Sequence, residues 1–252
     1  MILRVLGSSG AEFPGFNPSG FLIDDTLLLD AGTIGAALSE EEQAAIRHIL
    51  VTHCHLDHIR GIPLFADNMA LKNPQHNVEV LSARDILHSL KTHIMNDQIW
   101  PDFSRIPSPE APLIRYREIE NAEVLQVGGY TITACSVTHS VPAQGYIVRK
   151  GCHALLYTGD TGPTEAIWQY AANLSAIIVE VSFPNDMEEM ALLTGHLTAR
   201  LLSKELGKIV TLPPRIFVTH LKPQFYQTIK DDLAALGVPQ LELLQEGSSY
   251  HF

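Results

Sequence analysis

The chain has 252 residues, 46% of them hydrophobic and 18% charged, with a formal net charge of −11. That profile gives a folded domain with a sizeable core and excludes a disordered chain. The charge argues against a protein that grips long nucleic acid, which would show a basic face, yet a small anion can still bind beside metal ions that reverse the local field.

Short apolar runs rich in β-branched residues recur along the chain. Residues 2–6, 21–23 and 27–29 read as opening strands, the last two joined by the turn Asp24-Asp25-Thr26. Further strands are expected at 48–52, 78–81, 113–119, 124–127, 131–137, 145–149, 154–157, 176–181 and 216–218. Helical spacing marks 83–95, 164–171, 196–206 and 225–236, the last stopped by Gly237. Strands grouped in hairpins, with helices between and after the groups, suggest two packed sheets with helices outside, in a single domain over 1–252. The least regular stretch, 96–112, is rich in proline. A loop of that length is either a pocket wall or an ordered surface loop.

Cys54, Cys135 and Cys152 form no C-x-x-C pair, so no disulfide framework is expected. No apolar run approaches the roughly 18–20 residues that span a bilayer, and Met1 to Gly7 lacks the marks of a signal peptide. A cytoplasmic protein with no membrane partner is the expectation.

The strand at 48–52 runs directly into His53-Cys54-His55-Leu56-Asp57-His58. In extended chain, residues two apart face the same way, so His53 and His55 can share one metal ion. Asp57 and His58 come as the chain turns into a helix and can reach a second. Nitrogen and oxygen donors this dense suit zinc, then manganese or iron. Downstream, His139, Asp160 and His220 each sit just past the end of an expected strand. Strand ends on one edge of a sheet converge, so these scattered residues can build one site.

This pattern, His-x-His-x-Asp-His and then His, Asp and His at later strand ends, resembles the metallo-β-lactamase superfamily over nearly the whole chain. The resemblance implies a four-layer αββα sandwich, with His53, His55 and His139 on one Zn2+ ion, Asp57, His58 and His220 on another, and Asp160 bridging both. Asp30, in Leu29-Asp30-Ala31-Gly32-Thr33, matches an aspartate that orients a ligand histidine. A homodimer is a common assembly in this superfamily.

Closer features resemble the class II cyclic-nucleotide phosphodiesterases: Leu6-Gly7-Ser8-Ser9-Gly10, His55-Leu56-Asp57-His58 with Ile59 and Gly61, Tyr157 through Pro163, and above all Glu180-Val181-Ser182-Phe183-Pro184-Asn185 followed by Gly195-His196-Leu197-Thr198. A departure is Ile62-Pro63-Leu64-Phe65-Ala66-Asp67, where that family continues into a Ser-Ala-like pair. The runs at Glu180 and Gly195 also resemble the tRNA 3′-processing nucleases, which hold tRNA with a basic, glycine-rich arm that this sequence does not show. A zinc-binding protein without turnover is a third reading. Seven ligands over two ions disfavour it, because they leave places for water.

The expected reaction is hydrolysis of a 3′,5′-cyclic nucleotide, cAMP or cGMP, to the 5′-monophosphate. Two metal ions lower the pKa of a shared water, and the bridging hydroxide attacks phosphorus. The departing 3′ oxygen needs a proton, and His196 is the candidate donor, with Glu180 holding its ring. Asp57 joins them as a catalytic candidate. His93, Asn96, Trp100 and Asp102 are candidates for the base pocket, a ring to stack on a purine and polar groups to read its edges.

Overall fold

A computed structural model describes residues 1–73 and 76–252. One sheet is built from β1 (Ile2–Gly7), β2 (Gly20–Ile23), β3 (Leu27–Leu29), β4 (His48–Leu50), β5 (Val78–Ser82), β6 (Ile114–Glu118) and β14 (Ser249–His251), in the order β14-β1-β2-β3-β4-β5-β6. The other holds β7 (Val124–Val127), β8 (Tyr130–Ser136), β9 (Gln144–Lys150), β10 (His153–Tyr157), β11 (Ala176–Glu180), β12 (Ile216–Thr219) and β13 (Leu241–Leu243), in the order β13-β12-β11-β10-β9-β8-β7. Strands β3 to β6 pair in parallel, as do β10 to β13, while the remaining ladders are antiparallel.

Alternation along the strands assigns the layers. Leu27 and Leu29 of β3, Ala176 and Ile178 of β11 and Phe217 of β12 share a core with residues of both sheets. Their neighbours face the other way. Leu28 and Ile49 pack under α3 (Gly61–Lys72) and α4 (Arg84–His93). Ile177, Val179, Ile216 and Val218 pack under α6 (Ala199–Leu206) and α7 (Tyr226–Ala234). Strands buried on both faces read as continuous apolar runs, which is why 176–181 and 216–218 stand out in the sequence. The outcome is four layers, helices outside two stacked sheets, as expected.

Several elements differ from the expectation. Residues 164–171 hold a short 3-10 helix at Ala166–Tyr170. Helix α6 starts at Ala199, not at 196, because Thr198 is its cap, accepting from the Leu201 backbone N–H at 3.2 Å. His196 and Leu197 therefore remain extended, and the Leu197 carbonyl accepts from the Ser182 N–H at 3.1 Å. Unexpected elements are α1 (Glu40–Ala45), closed by a capping box between Ser39 and Glu42, α3, and α5 (Glu188–Thr194). Gly61 and Pro63 look like breakers. They fall in the first turn of α3, where a missing N–H costs nothing. Strands β13 and β14, three residues each, also lack a visible signal. Among the described residues, no helix is long and apolar enough to cross a membrane.

Candidate metal centre

Seven residues converge beyond the ends of β4, β8, β10 and β12. His53 and His55 leave β4 in extended chain, and Asp57 and His58 lie in a single turn of helix, α2 (Leu56–Ile59). Cys54 faces away, as the alternation requires. Its thiol donates to the Ile86 carbonyl at 3.0 Å, and burial pushes its pKa up to about 11. His139, Asp160 and His220 arrive from the second sheet, three, three and one residue past the ends of β8, β10 and β12.

The donor atoms form two groups. His53, His55, His139 and Asp160 make one, and Asp57, His58, His220 and Asp160 the other, so Asp160 belongs to both. His53 Nε2 and His139 Nε2 lie 3.0 and 3.2 Å from His55 Nδ1, and Asp160 Oδ2 is 3.7 Å from His53 Nε2. In the second group, His220 Nε2 is 3.2 Å from Asp57 Oδ2 and 3.3 Å from both His58 Nε2 and Asp160 Oδ2, while His58 Nε2 is 3.3 Å from Asp160 Oδ1. Donors placed tetrahedrally ~2.0–2.1 Å from a zinc ion stand about 3.3 Å apart. The separations match that edge, and unprotonated ring nitrogens facing one another have no proton to share. The donor chemistry and its spacing thus fit a metal.

Hydrogen bonds behind the donors fix which nitrogen faces inward. Asp30, fully buried, accepts from Thr52 N–H and Tyr157 hydroxyl at 2.8 and 2.7 Å, and its Oδ2 is 2.7 Å from His58 Nδ1. A carboxylate only accepts, so that ring nitrogen carries a proton and Nε2 is the atom turned toward His220 and Asp160. Burial and the Asp30 charge hold the Tyr157 hydroxyl well above its ordinary pKa, keeping it a donor. His139 Nδ1 donates to the Gly195 carbonyl at 2.8 Å. Asp30 and His220 both adopt positive φ, 54° and 65°, a cost of about 1–3 kcal/mol each that the surrounding bonds hold in place.

Beside the second group stands His196. Its Nδ1 lies 2.6 Å from Glu180 Oε1, and its ring stacks on that of His220 at 5.6 Å with a 19° tilt. Burial alone would lower its pKa, but the Glu180 charge and hydrogen bond outweigh that and raise it. Glu180 is itself buried and accepts from Thr161 N–H at 3.1 Å and Ser182 Oγ at 2.9 Å. The sequence assigns no role to the hydroxyls of Thr52, Tyr157 and Ser182, although Tyr157 and Ser182 lie in the motifs quoted above. Spacing could have found Ser182, which is two residues from Glu180 in an extended segment.

The four pocket candidates lie at the end of α4 and in the segment after it. His93 ends α4 and is exposed. Asn96 Oδ1 accepts from Gln98 and Ile99 N–H within its own turn, and Asp102 accepts from Ser104 and Arg105. Trp100 packs on the core beneath the first sheet, its buried Nε1 without a partner. None of the four belongs to the groups of ligating side chains.

A family model described as "Beta-lactamase superfamily domain" matches residues 26–220. Curated relatives include the "Probable 3′,5′-cyclic-nucleotide phosphodiesterase" of Yersinia pestis, 25% identical over 82% of this chain and 68% of that protein. The 3′,5′-cyclic-nucleotide phosphodiesterase of Schizosaccharomyces pombe is 26% identical over 84% of this chain, which spans 66% of that relative. Ribonuclease Z of Archaeoglobus fulgidus is 21% identical over 71% of each chain. Among solved structures, unliganded yeast PDE1 superposes with a TM-score of 0.83 at 19% identity, covering 98% of both chains. The metallo-β-lactamase fold protein YhfI from Bacillus subtilis gives 0.77 at 19% identity, covering 99% of both.

Proposed function

The chain belongs to the β-lactamase superfamily, a family of hydrolases with the metallo-β-lactamase fold, and on that footing we propose that it is a metal-dependent phosphodiesterase that opens a 3′,5′-cyclic nucleotide to the 5′-monophosphate. The observation that carries this reading is the hydrogen-bonded His196–Glu180 pair, its ring stacked on His220 of the second group of ligating side chains. A proton donor at that place answers the need of an alkoxide leaving group. Cyclic-nucleotide phosphodiesterases among the relatives support the substrate class.

In this reading His53, His55 and His139 would hold one ion and Asp57, His58 and His220 another, with Asp160 within reach of both groups. Zinc suits these donors best, with manganese or iron as replacements. Bound there, two divalent cations would neutralise phosphate charge and lower the pKa of a water to near 7. The rest of the work belongs to the chain. Asp57 and Asp160 supply negative charge that keeps the ions in place, and Asp30 keeps His58 aimed at its ion. His196, held cationic by Glu180, delivers a proton from Nε2 to the departing 3′ oxygen.

Ribonuclease Z-type cleavage of tRNA is the second reading, favoured by the relative in Archaeoglobus fulgidus. The net charge of −11 weighs against it. Chromatography of products from cAMP, cGMP, 2′,3′-cyclic AMP and a tRNA precursor decides between them. A 5′-monophosphate from a 3′,5′-cyclic substrate is the expected result. Efficient tRNA cleavage that weakens steeply with salt, and no cyclic-nucleotide turnover, would replace the first reading with the second.

A further inference from the structure

Two carboxylates in this protein each hold a pair of histidines, and they do so in the same way. Asp30, just past β3, takes His58 Nδ1 directly at 2.7 Å and reaches His53 through Thr52, whose Oγ1 is 2.8 Å from Asp30 Oδ2 and 3.0 Å from His53 Nδ1. Glu180, at the end of β11, takes His196 Nδ1 directly at 2.6 Å and reaches His220 through Ser182, whose Oγ is 2.9 Å from Glu180 Oε2 and 2.8 Å from His220 Nδ1. One device lies under each sheet's share of the site.

Proton counting fixes the direction of the second chain. His220 presents Nε2 to Asp57, His58 and Asp160, so as a neutral ligand its proton sits on Nδ1 and it can only donate to Ser182. His196 Nδ1 donates to Glu180 in the same manner. The Ser182 hydroxyl has one proton, and Glu180 Oε2 is the charged acceptor within reach, nearer than the His220 carbonyl at 3.3 Å. The order is therefore His220 N–H to Ser182 O–H to Glu180 carboxylate.

We infer that Ser182 is a positioning residue that relays the Glu180 charge to the metal ligand His220, so that a single buried carboxylate serves both the proton donor and the second metal position. The relay makes His220 a more basic ligand and locks its ring, as carboxylates do when they bond a ligating histidine directly. The inference rests on the metal reading of the site and is independent of which phosphodiester is cleaved.

The test uses zinc affinity, read by competition with a chromophoric chelator. Ser182→Ala and Glu180→Gln should each weaken the second zinc ~10–100-fold. The double variant should be no worse than Ser182→Ala alone, because one path has been cut twice. Ser182→Thr, which keeps a hydroxyl as in the Thr52 device, should bind zinc like wild type. Additive losses, or wild-type affinity in Ser182→Ala, would overturn the relay. Should Ser182→Ala not fold, nitrogen-15 spectra of the zinc-loaded wild type still decide. A proton on His220 Nδ1 supports the chain, and a bare Nδ1 reverses it and ends the proposal. Failure to hydrolyse cyclic nucleotides would leave these readouts untouched.

Discussion

At His196 burial and charge pull in opposite directions, and the carboxylate wins. That balance gives a testable mechanism. An alkoxide must be protonated as it leaves, whereas a nitrophenolate can leave unaided. His196→Ala should lose ~10²–10⁴-fold on a cyclic nucleotide, far less on bis(p-nitrophenyl) phosphate, and keep its metal content. Equal losses on both substrates would assign His196 to phosphate binding instead. The pH profile follows from the same group. His196 acts only while protonated, and its pKa is raised above the ordinary 6.5. Rate on the cyclic substrate should fall as pH rises past the raised value. Glu180→Gln removes the charge that raises it, so the fall should move to lower pH, as read from kcat/KM against pH.

Between α5 and α6, four residues place two functions. Gly195 closes α5 at φ 73°, and its carbonyl anchors His139 while the next residue is His196. A Cβ added at Gly195 would sit 2.9 Å from His139 Cα and from Ser140 N. Gly195→Ala should therefore displace His139, weaken the first metal position and lower thermal stability by more than the ~1 kcal/mol of an ordinary αL penalty, as zinc titration and thermal melts would show. The sequence made the ligand positions legible because donor types recur at strand ends, a local pattern. It blurred α6, since residues 196–198 continue the apolar spacing into chain that pairs with Ser182 and Phe183. Thr52 and Tyr157 stay hidden because a hydroxyl gains its role from partners distant in sequence, as both do from Asp30. Asn96 and Asp102 use side-chain oxygens within their own turns, partners that lie close by in sequence.

Across the molecule, the ligands His53 to His58 come from the first sheet and His139, Asp160 and His220 from the second. Bound metal would thus tie the sheets together at one edge of their shared core. A ligand that binds only the folded state at 1,000 times its Kd adds about 4 kcal/mol. Chelation should lower the melting temperature accordingly, and zinc should restore it; an unchanged melt would mean that no metal spans the sheets. The topology carries one more consequence. Strand β14 returns to the first sheet beside β1, with Phe252 N–H donating to the Met1 carbonyl at 3.0 Å. The chain passes from the first sheet to the second at an exposed turn, Asn121-Ala122, between β6 and β7. A circular permutant joined by a short linker from 252 to 1 and opened at that turn would read β7 to β13, then β14 and β1 to β6. Each sheet would become one uninterrupted stretch of sequence. Such exposed turns tolerate new ends, so the rearranged chain should fold cooperatively and still assemble its ligands, now drawn from two consecutive halves of a gene.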